Sequence, residues 1–386
     1  MTILNKNKFP YIKQSGNTYE IDWTSKTYIF SLRDWSDKDH WYCEINSGDP
    51  FSHYKIEHLI ETDILRKIKS DDKTFLVIAN SYEGFLHIVE PLYRRLVIES
   101  RIPANKIILL SESIDVGNEI KSVAKQYSQN LINFEWLSGF EYMTKKYKAK
   151  LTQSPLTLEM KDYEKSFLNF NRRWRMHRPT IVAALATKGI LEKGFVSLGN
   201  DGGGKDWSNI FNDIDYFHQN KNLKDLMNQY KENIRTLPDL YLDTENLKEN
   251  QADLTELTNY YYENSYFSLV SESNFYTTRG FENSRFLTEK TFKPIIQGHP
   301  FLLISVPNSL KVLKILGYKT FHPFIDESYD AELDDELRML KIIAEVEKLC
   351  NLSKNDLKSF LLNSKSIAEF NKNKILNKKS FSIKII

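Results

Sequence analysis

The chain has 386 residues, with 53 Lys+Arg against 51 Asp+Glu for a formal net charge of +2, and it is 41% hydrophobic and 27% charged. That length is too great for one ordinary core and predicts two domains; the composition is that of a globular protein and excludes a disordered or fibrous one. A charge so near zero argues against a protein built mainly to neutralise phosphate backbones, which carries a strong basic excess.

Residues 1–16 lack the apolar stretch of a signal peptide, and the longest strongly apolar run, 301–306, is far too short to span a bilayer. The expected location is cytoplasmic, with membrane contact only from the surface: peripheral at an inner membrane, or in the host cytoplasm if the source is viral. Cys43 and Cys350 stand at opposite ends of the chain and make neither a disulfide framework nor a Cys-rich zinc site. Residues 27–32 alternate in the manner of a strand. Residues 74–79 form a continuous apolar run of buried-strand type, 80–84 punctuate it, 85–100 are amphipathic, and a second apolar run covers 106–110. Strand, loop, helix, strand predicts a βαβ unit in a parallel sheet.

The same grammar restarts at 166–170, with a loop over 171–177, a helix from about Pro179 to Lys188, and a strand over 194–198. A Gly-rich loop over 200–205 follows. Further strands are predicted over 266–270 and 301–304, with a helix over 288–297 between them. The expected fold class is α/β: two Rossmann-like domains, 1–155 and 156–350, facing a central cleft, with a basic tail over 351–386. Ligands in such sheets bind at the carboxyl ends of the strands.

The most informative stretch runs from Tyr266 to Asn274 and resumes from Phe286 to Phe301. A buried strand ends in Ser271-Glu272, which places a carboxylate at the ligand edge. Thr288 and Glu289 suit a helix cap and first turn. A helix N-terminus is an anion site, and Lys290 and Lys293 add positive charge beside it. Carboxylates for sugar hydroxyls and lysines for a diphosphate suit a nucleotide sugar. Pro294, inside the first two turns, is tolerable if the helix starts late or bends.

This stretch resembles the donor-site region of fucosyltransferase-type GT-B glycosyltransferases, whose pattern runs Phe-Glu-Asn, then Thr-Glu-Lys, then a helix and an apolar strand. Glu272 matches the family's first Glu, and Thr288, Glu289 and Lys290 match its Thr-Glu-Lys. The resemblance implies that these residues contact the donor. Ser271 and Ser273 depart from the family's Phe and Asn, and the two acidic positions lie 17 residues apart, an interval longer than the family's. A second candidate, Phe281-Glu282-Asn283, sits nearer Glu289; Glu272 is preferred because a strand precedes it. About 55 residues carry the resemblance, so it speaks for the superfamily rather than for fucose.

A second cluster runs from Asn171 to Arg178. Four arginines and a histidine this close call for an anion, and the planar guanidinium pairs bidentately with phosphate. Arg172, Arg173 and Arg178 are the candidate diphosphate binders, against a solvated loop or a nucleic-acid contact. Glu83, in the loop after the first clear strand, is the candidate base for the acceptor hydroxyl, with His87 one turn later as the alternative; an acid at a helix N-terminus is the competing reading of Glu83. Asp213-Ile-Asp215 imitates a metal motif but reads as a surface loop, so no essential metal and no cofactor beyond the donor substrate is expected. Gly202-Gly203-Gly204 lacks the Gly-Lys-Ser/Thr of a P-loop.

The expected function is a glycosyltransferase moving a sugar from a nucleoside-diphosphate sugar to an acceptor hydroxyl. The expected acceptor is a surface glycan or lipid-linked oligosaccharide. One alternative is DNA carrying hydroxymethylated bases, as in phage enzymes with two Rossmann-like domains; another is a non-catalytic sugar- or nucleotide-binding module. Residues 351–386 hold eight lysines against Asp356 and Glu369, a net +6 that leaves −4 for the preceding 350 residues. Ser353 with Asp356 predicts a helix start, and Leu357, Phe360, Leu361, Ile367 and Ala368 recur at helical spacing. Such a helix rests on an anionic membrane or DNA, or packs back on the protein.

Overall fold

The computed structural model describes residues 28–31, 62–71, 76–80, 88–136, 138, 140–141, 144, 161–171, 175–199, 221–237, 240, 242, 259–277 and 284–377. The chain divides into two compact units. The first takes residues 1–139, 283–286 and 379–386; the second takes 140–282 and 287–378. Both are mixed α/β with parallel sheets, the class expected from the sequence.

The first unit carries β1 (Tyr28–Ser31), α1 (Thr62–Ser70), β2 (Leu76–Asn80), α2 (Val89–Leu92), β3 (Ile107–Ser111), α3 (Val116–Gln126) and β4 (Asn133–Trp136). The strands are parallel in the order β1-β2-β3-β4, so every crossover steps the same way. β2 and β3 are the apolar runs read from the sequence. Parallel strands are covered on both faces, and therefore lack alternation. The helix predicted over 85–100 is α2 continued by π-helical turns over Tyr93–Glu99. Pro91 within it has no N–H to give to the preceding turn. Leu92, Tyr93, Leu96, Ile107, Leu109, Ile120 and Val123 form the core. The Tyr93 hydroxyl receives the Ile132 N–H at 3.0 Å and donates to the Asn130 carbonyl at 3.1 Å, tying the approach to β4.

Residues 283–286 belong to this first unit although they lie between two elements of the second. Arg285 donates from its backbone N and Nε to Asp115 Oδ2 at 3.1 and 2.9 Å, and its third donor meets Oδ1. The Ile114 N–H returns to the Arg285 carbonyl at 3.1 Å. This excursion falls within the long interval between Glu272 and Glu289.

The second unit carries β5 (Lys165–Asn169), α4 (His177–Thr187), β6 (Gly194–Val196), α5 (Lys221–Gln229), α6 (Lys231–Thr236), α7 (Asn259–Glu263), β7 (Ser265–Ser271), α8 (Glu289–Gln297), β8 (Phe301–Ile304), α9 (Ser309–Ile315), α10 (Asp335–Cys350) and α11 (Lys354–Asn377). Its strands are all parallel in the order β6-β5-β7-β8. The chain steps outward from β5 to β6, then recrosses to β7 on the other side of β5. Every residue of β7 and β8 is buried. Gly194 opens β6 because the Phe167 ring lies over it: a Cβ there would stand 2.3 Å from the ring. α8 ends at Gly298, whose φ of 69° is left-handed and favours glycine.

α11 buries Leu357, Phe360, Leu361, Ala368 and Ile375, and packs against α8 and β7. Ser353 Oγ receives the Asp356 N–H at 3.2 Å, so the helix starts where the sequence signalled. Its apolar face is therefore taken by the second unit itself. Two of its lysines are also engaged there, Lys358 with Asp162 at 2.8 Å and Lys374 over the Tyr318 ring. Among the described residues no helix is long and apolar enough to cross a membrane.

α9 begins after Asn308, which is left-handed and supplies no side-chain cap. Asp330 takes over that role, accepting the Leu310 N–H at 3.0 Å. Burial pushes the Asp330 carboxyl up from 3.8 to about 6, and the Leu310 bond offsets only part of that shift. A raised pKa means the folded state favours the protonated acid. The resulting stability is full below about pH 3.8 and is lost as pH rises through about 6. Urea unfolding at pH 4, 5, 6 and 7 should therefore show wild type losing stability relative to Asp330→Asn across that window. A pH-independent difference between the two proteins would contradict the assignment.

Candidate functional site

β5 and β7 are neighbours whose connections leave in opposite directions, so the sheet of the second unit has its topological switch point between their carboxyl ends. Open parallel sheets bind ligands there, because the diverging loops leave a crevice. The first unit, with its described strands in chain order, has no such reversal.

Glu272 follows β7 directly, and its backbone N–H extends the ladder to the Ile304 carbonyl at 2.9 Å. The residue is 1% exposed. Oε1 accepts from the Thr288 N–H at 2.9 Å and the Thr291 hydroxyl at 2.6 Å; Oε2 accepts from the Thr288 hydroxyl at 2.6 Å and the Ser273 N–H at 3.1 Å. A carboxylate has about four lone-pair sites, and all are filled by protein donors. The side chain is thus a bracket between the end of β7 and the start of α8.

Thr288 is the extended N-cap of α8, and its Oγ1 accepts from the Lys290 N–H at 3.4 Å. The helix starts at Glu289 and keeps Pro294 inside, one turn before its end. Lys290 Nζ donates to Glu289 Oε1 at 2.8 Å and reaches Thr288 Oγ1 at 3.2 Å and Ser273 Oγ at 3.4 Å. Burial raises the Glu289 carboxyl, but the ammonium groups of Lys290 and Lys293 outweigh it and hold the group below its ordinary range. The result is a buried, ionised Glu289 beside a 29% exposed lysine at a helix N-terminus.

The start of α4 supplies the second wall. Arg178 is 2% exposed, and its guanidinium donates to the Ser271 and Glu272 carbonyls, both at 3.2 Å. It clamps the end of β7 by its main chain. His177 is wholly buried, and its Nε2 lies 3.0 Å from the Glu272 carbonyl. A carbonyl only accepts, so Nε2 carries the proton. Burial, then the neighbouring positive charge of Arg178, holds the ring well below its usual pKa, and it is neutral at pH 7. One face of the imidazole stacks on Phe275 at 5.4 Å. The guanidinium of Arg338, from α10, lies 4.3 Å from the same phenyl ring. Arg338 also donates to the carbonyls of Phe275, Ser305 and Glu332 and to Asp335. Asp335 accepts from the Thr277 N–H and hydroxyl at 3.2 and 3.3 Å. The segment 273–277 is thus held from both sides.

The structure therefore brings together Arg178, Glu272, Thr288, Glu289, Lys290 and Lys293 of the residues selected from the sequence. Glu83, His87, Arg172, Arg173, Asp213, Asp215, Gly202–Gly204 and the alternative Phe281-Glu282-Asn283 lie outside the described residues. Sequence reasoning passed over Asn169, Asp335 and Arg338, and took Asn171 and His177 only as members of the basic cluster without assigning them a role. One local signal was available: Asn169 interrupts an apolar strand, and an amide placed between phenylalanine and leucine side chains needs specific partners. Among the described residues, no group of three or more His, Cys, Asp or Glu side chains could hold a metal ion. No family model matches the chain, and no curated protein matches it significantly.

Proposed function

We propose that the protein is a GT-B-like glycosyltransferase, with the second unit binding a nucleoside-diphosphate sugar and the first the acceptor. The observation that carries this reading is the Thr288-Glu289-Lys290 cap of α8, bracketed by Glu272 at the switch point of a parallel sheet. A diphosphate there meets the N-terminus of α8 and the ammonium groups of Lys290 and Lys293. Cationic groups placed where the leaving diphosphate gains charge lower the barrier to its departure. Glu83, with His87 as the alternative, is proposed as the base that takes the acceptor's hydroxyl proton. The proposed acceptor is a glycan or lipid-linked oligosaccharide; DNA as acceptor would show as salt-sensitive duplex binding.

The test is a panel of nucleotide sugars read by thermal shift and by release of nucleoside diphosphate. Turnover separates an enzyme from a binding module. Lys290→Ala should weaken donor binding roughly ten- to hundredfold, the worth of one charged hydrogen bond. Undiminished nucleotide-sugar binding by that variant would remove the site assignment.

A further inference from the structure

With the Glu272 carboxylate saturated, the hydroxyl groups of a ligand at the switch point need other acceptors, and the side-chain network defines two. Asn169 donates from Nδ2 to the Leu269 carbonyl at 2.6 Å and to Ser271 Oγ at 3.2 Å. Its Oδ1 therefore faces Asn171, whose Nδ2 donates to it at 2.5 Å. That bond fixes the Asn171 amide with Oδ1 turned the other way. His177 is fixed in the same manner: its Nε2–H serves the Glu272 carbonyl, so Nδ1 carries a bare lone pair. Asn171 Oδ1 and His177 Nδ1 are both buried, and neither has a hydrogen-bond partner among the described residues. Asn274 Nδ2, in the clamped segment after β7, is a third such atom and a donor.

Buried polar atoms in folded proteins have partners as a rule, and an unmet group points to a water or ligand. Two bare acceptors repel phosphate oxygens and match hydroxyl or N–H donors. The anion-binding features of the site, the α8 N-terminus and Lys290, belong to the other wall. We propose that Asn171 and His177 accept hydrogen bonds from ligand hydroxyl groups, so that a nucleotide sugar lies with a polyol portion against β5 and α4 and its diphosphate against α8. This assignment rests on the glycosyltransferase reading and adds the orientation of the donor. The polyol is either the ribose or the transferred sugar, which share the same hydroxyl chemistry.

The experiment is calorimetric titration of the full chain with GDP and UDP, their 2′-deoxy and 3′-deoxy forms, their glucose, galactose and fucose conjugates, and inorganic pyrophosphate. Wild type is compared with His177→Gln, because the glutamine amide keeps a donor at the Nε2 position while removing the Nδ1 acceptor. The expected result is roughly tenfold weaker nucleotide or nucleotide-sugar binding by the variant with pyrophosphate binding unchanged. A deficit already present with the plain diphosphates, and reproduced in wild type by a deoxyribose form, assigns the ribose. A deficit confined to the conjugates assigns the transferred sugar.

Equal nucleotide and conjugate affinities for both proteins would mean that a buried water satisfies the acceptors, and would overturn the proposal. Equal loss of pyrophosphate binding would overturn it too, by showing general damage. Should the variant not fold, the wild-type titrations decide. Indifference to every ribose deletion, together with no affinity gained from any attached sugar, would reject the orientation. Wild type binding no nucleotide or conjugate at all would instead take away the functional reading on which it rests.

Discussion

Glu272→Ala should lower the stability of the second unit by about 3–5 kcal/mol, because it strands four donors that now share one carboxylate. Each unsatisfied buried donor costs roughly 1–3 kcal/mol, and water entering the vacated space recovers part of the sum. At roughly 2–4 °C per kcal/mol for a unit of this size, the melting transition should fall by roughly 6–20 °C. Glu272→Gln should be milder. It keeps an acceptor for the Thr288 N–H and the Thr291 hydroxyl, but sets an NH2 group against the Ser273 N–H. Thermal unfolding followed by circular dichroism is the measurement. A melting temperature unchanged in Glu272→Ala would mean that the carboxylate acts on ligand alone and that the bracket carries no energy.

The second large effect belongs to α10. Asp335 and Arg338 are both 0% exposed, and their pair is 2.5 Å long. Removing one partner leaves a buried charge without its counterion, so Asp335→Ala should cost about 3–5 kcal/mol in urea unfolding. The double variant Asp335→Leu/Arg338→Met removes both charges and should cost clearly less. It will not restore wild-type behaviour, because Arg338 also serves four carbonyls and Asp335 holds Thr277. Hydrogen exchange at the Thr277 amide gives a local readout: protection there should fall in every variant lacking the Asp335 carboxylate. A single variant as stable as wild type, or a double variant worse than both singles, would contradict this account. Since the same pair holds the loop beside His177, the nucleotide-sugar binding proposed above should weaken in these variants along with the loss of protection.

The elements that the sequence reveals and those it conceals differ for a physical reason. β2, β3, β5, β7 and β8 are central or fully covered, and covered parallel strands must be continuous apolar runs. β4 was not read, because its four residues, Asn133–Trp136, are all half-buried and carry no apolar run. α10 was not read either. It buries Arg338, Asp335 and Glu345 along with its aliphatic residues, which blurs the polar/apolar period that marks a surface helix. The start of α8 was legible because a cap is local: Thr288, Glu289 and Lys290 are adjacent, and the helix N-terminus needs just those groups.

Arg178 shows the opposite case. A crowded run of arginines reads as an anion site, yet this guanidinium turns inward to the main chain of β7. Which way it faces depends on the orientation of α4 against the sheet, and composition does not encode that. The same holds for Glu272. Its place at the end of a strand was legible; its four partners were not, since they come from a cap and a helix 16 and 19 positions away in the chain and from the turn of its own backbone.

The balanced charge of +2 likewise conceals how the charges are used. By itself the sequence determined the α/β class, the main buried strands, the helix starts at Thr288 and Ser353, and the clustering of acid, threonine and lysine after β7. Those depend on neighbours within a few residues and on burial averaged over a whole element. Only the tertiary structure decided that the β5–β7 reversal makes a switch point, that Glu272 is saturated, that Arg178 and Arg338 face inward, and that Asn171 and His177 keep acceptors without a partner among the described residues. Each of these depends on distant groups meeting within hydrogen-bond reach, and an unpaired lone pair becomes visible only once every other partner has been placed.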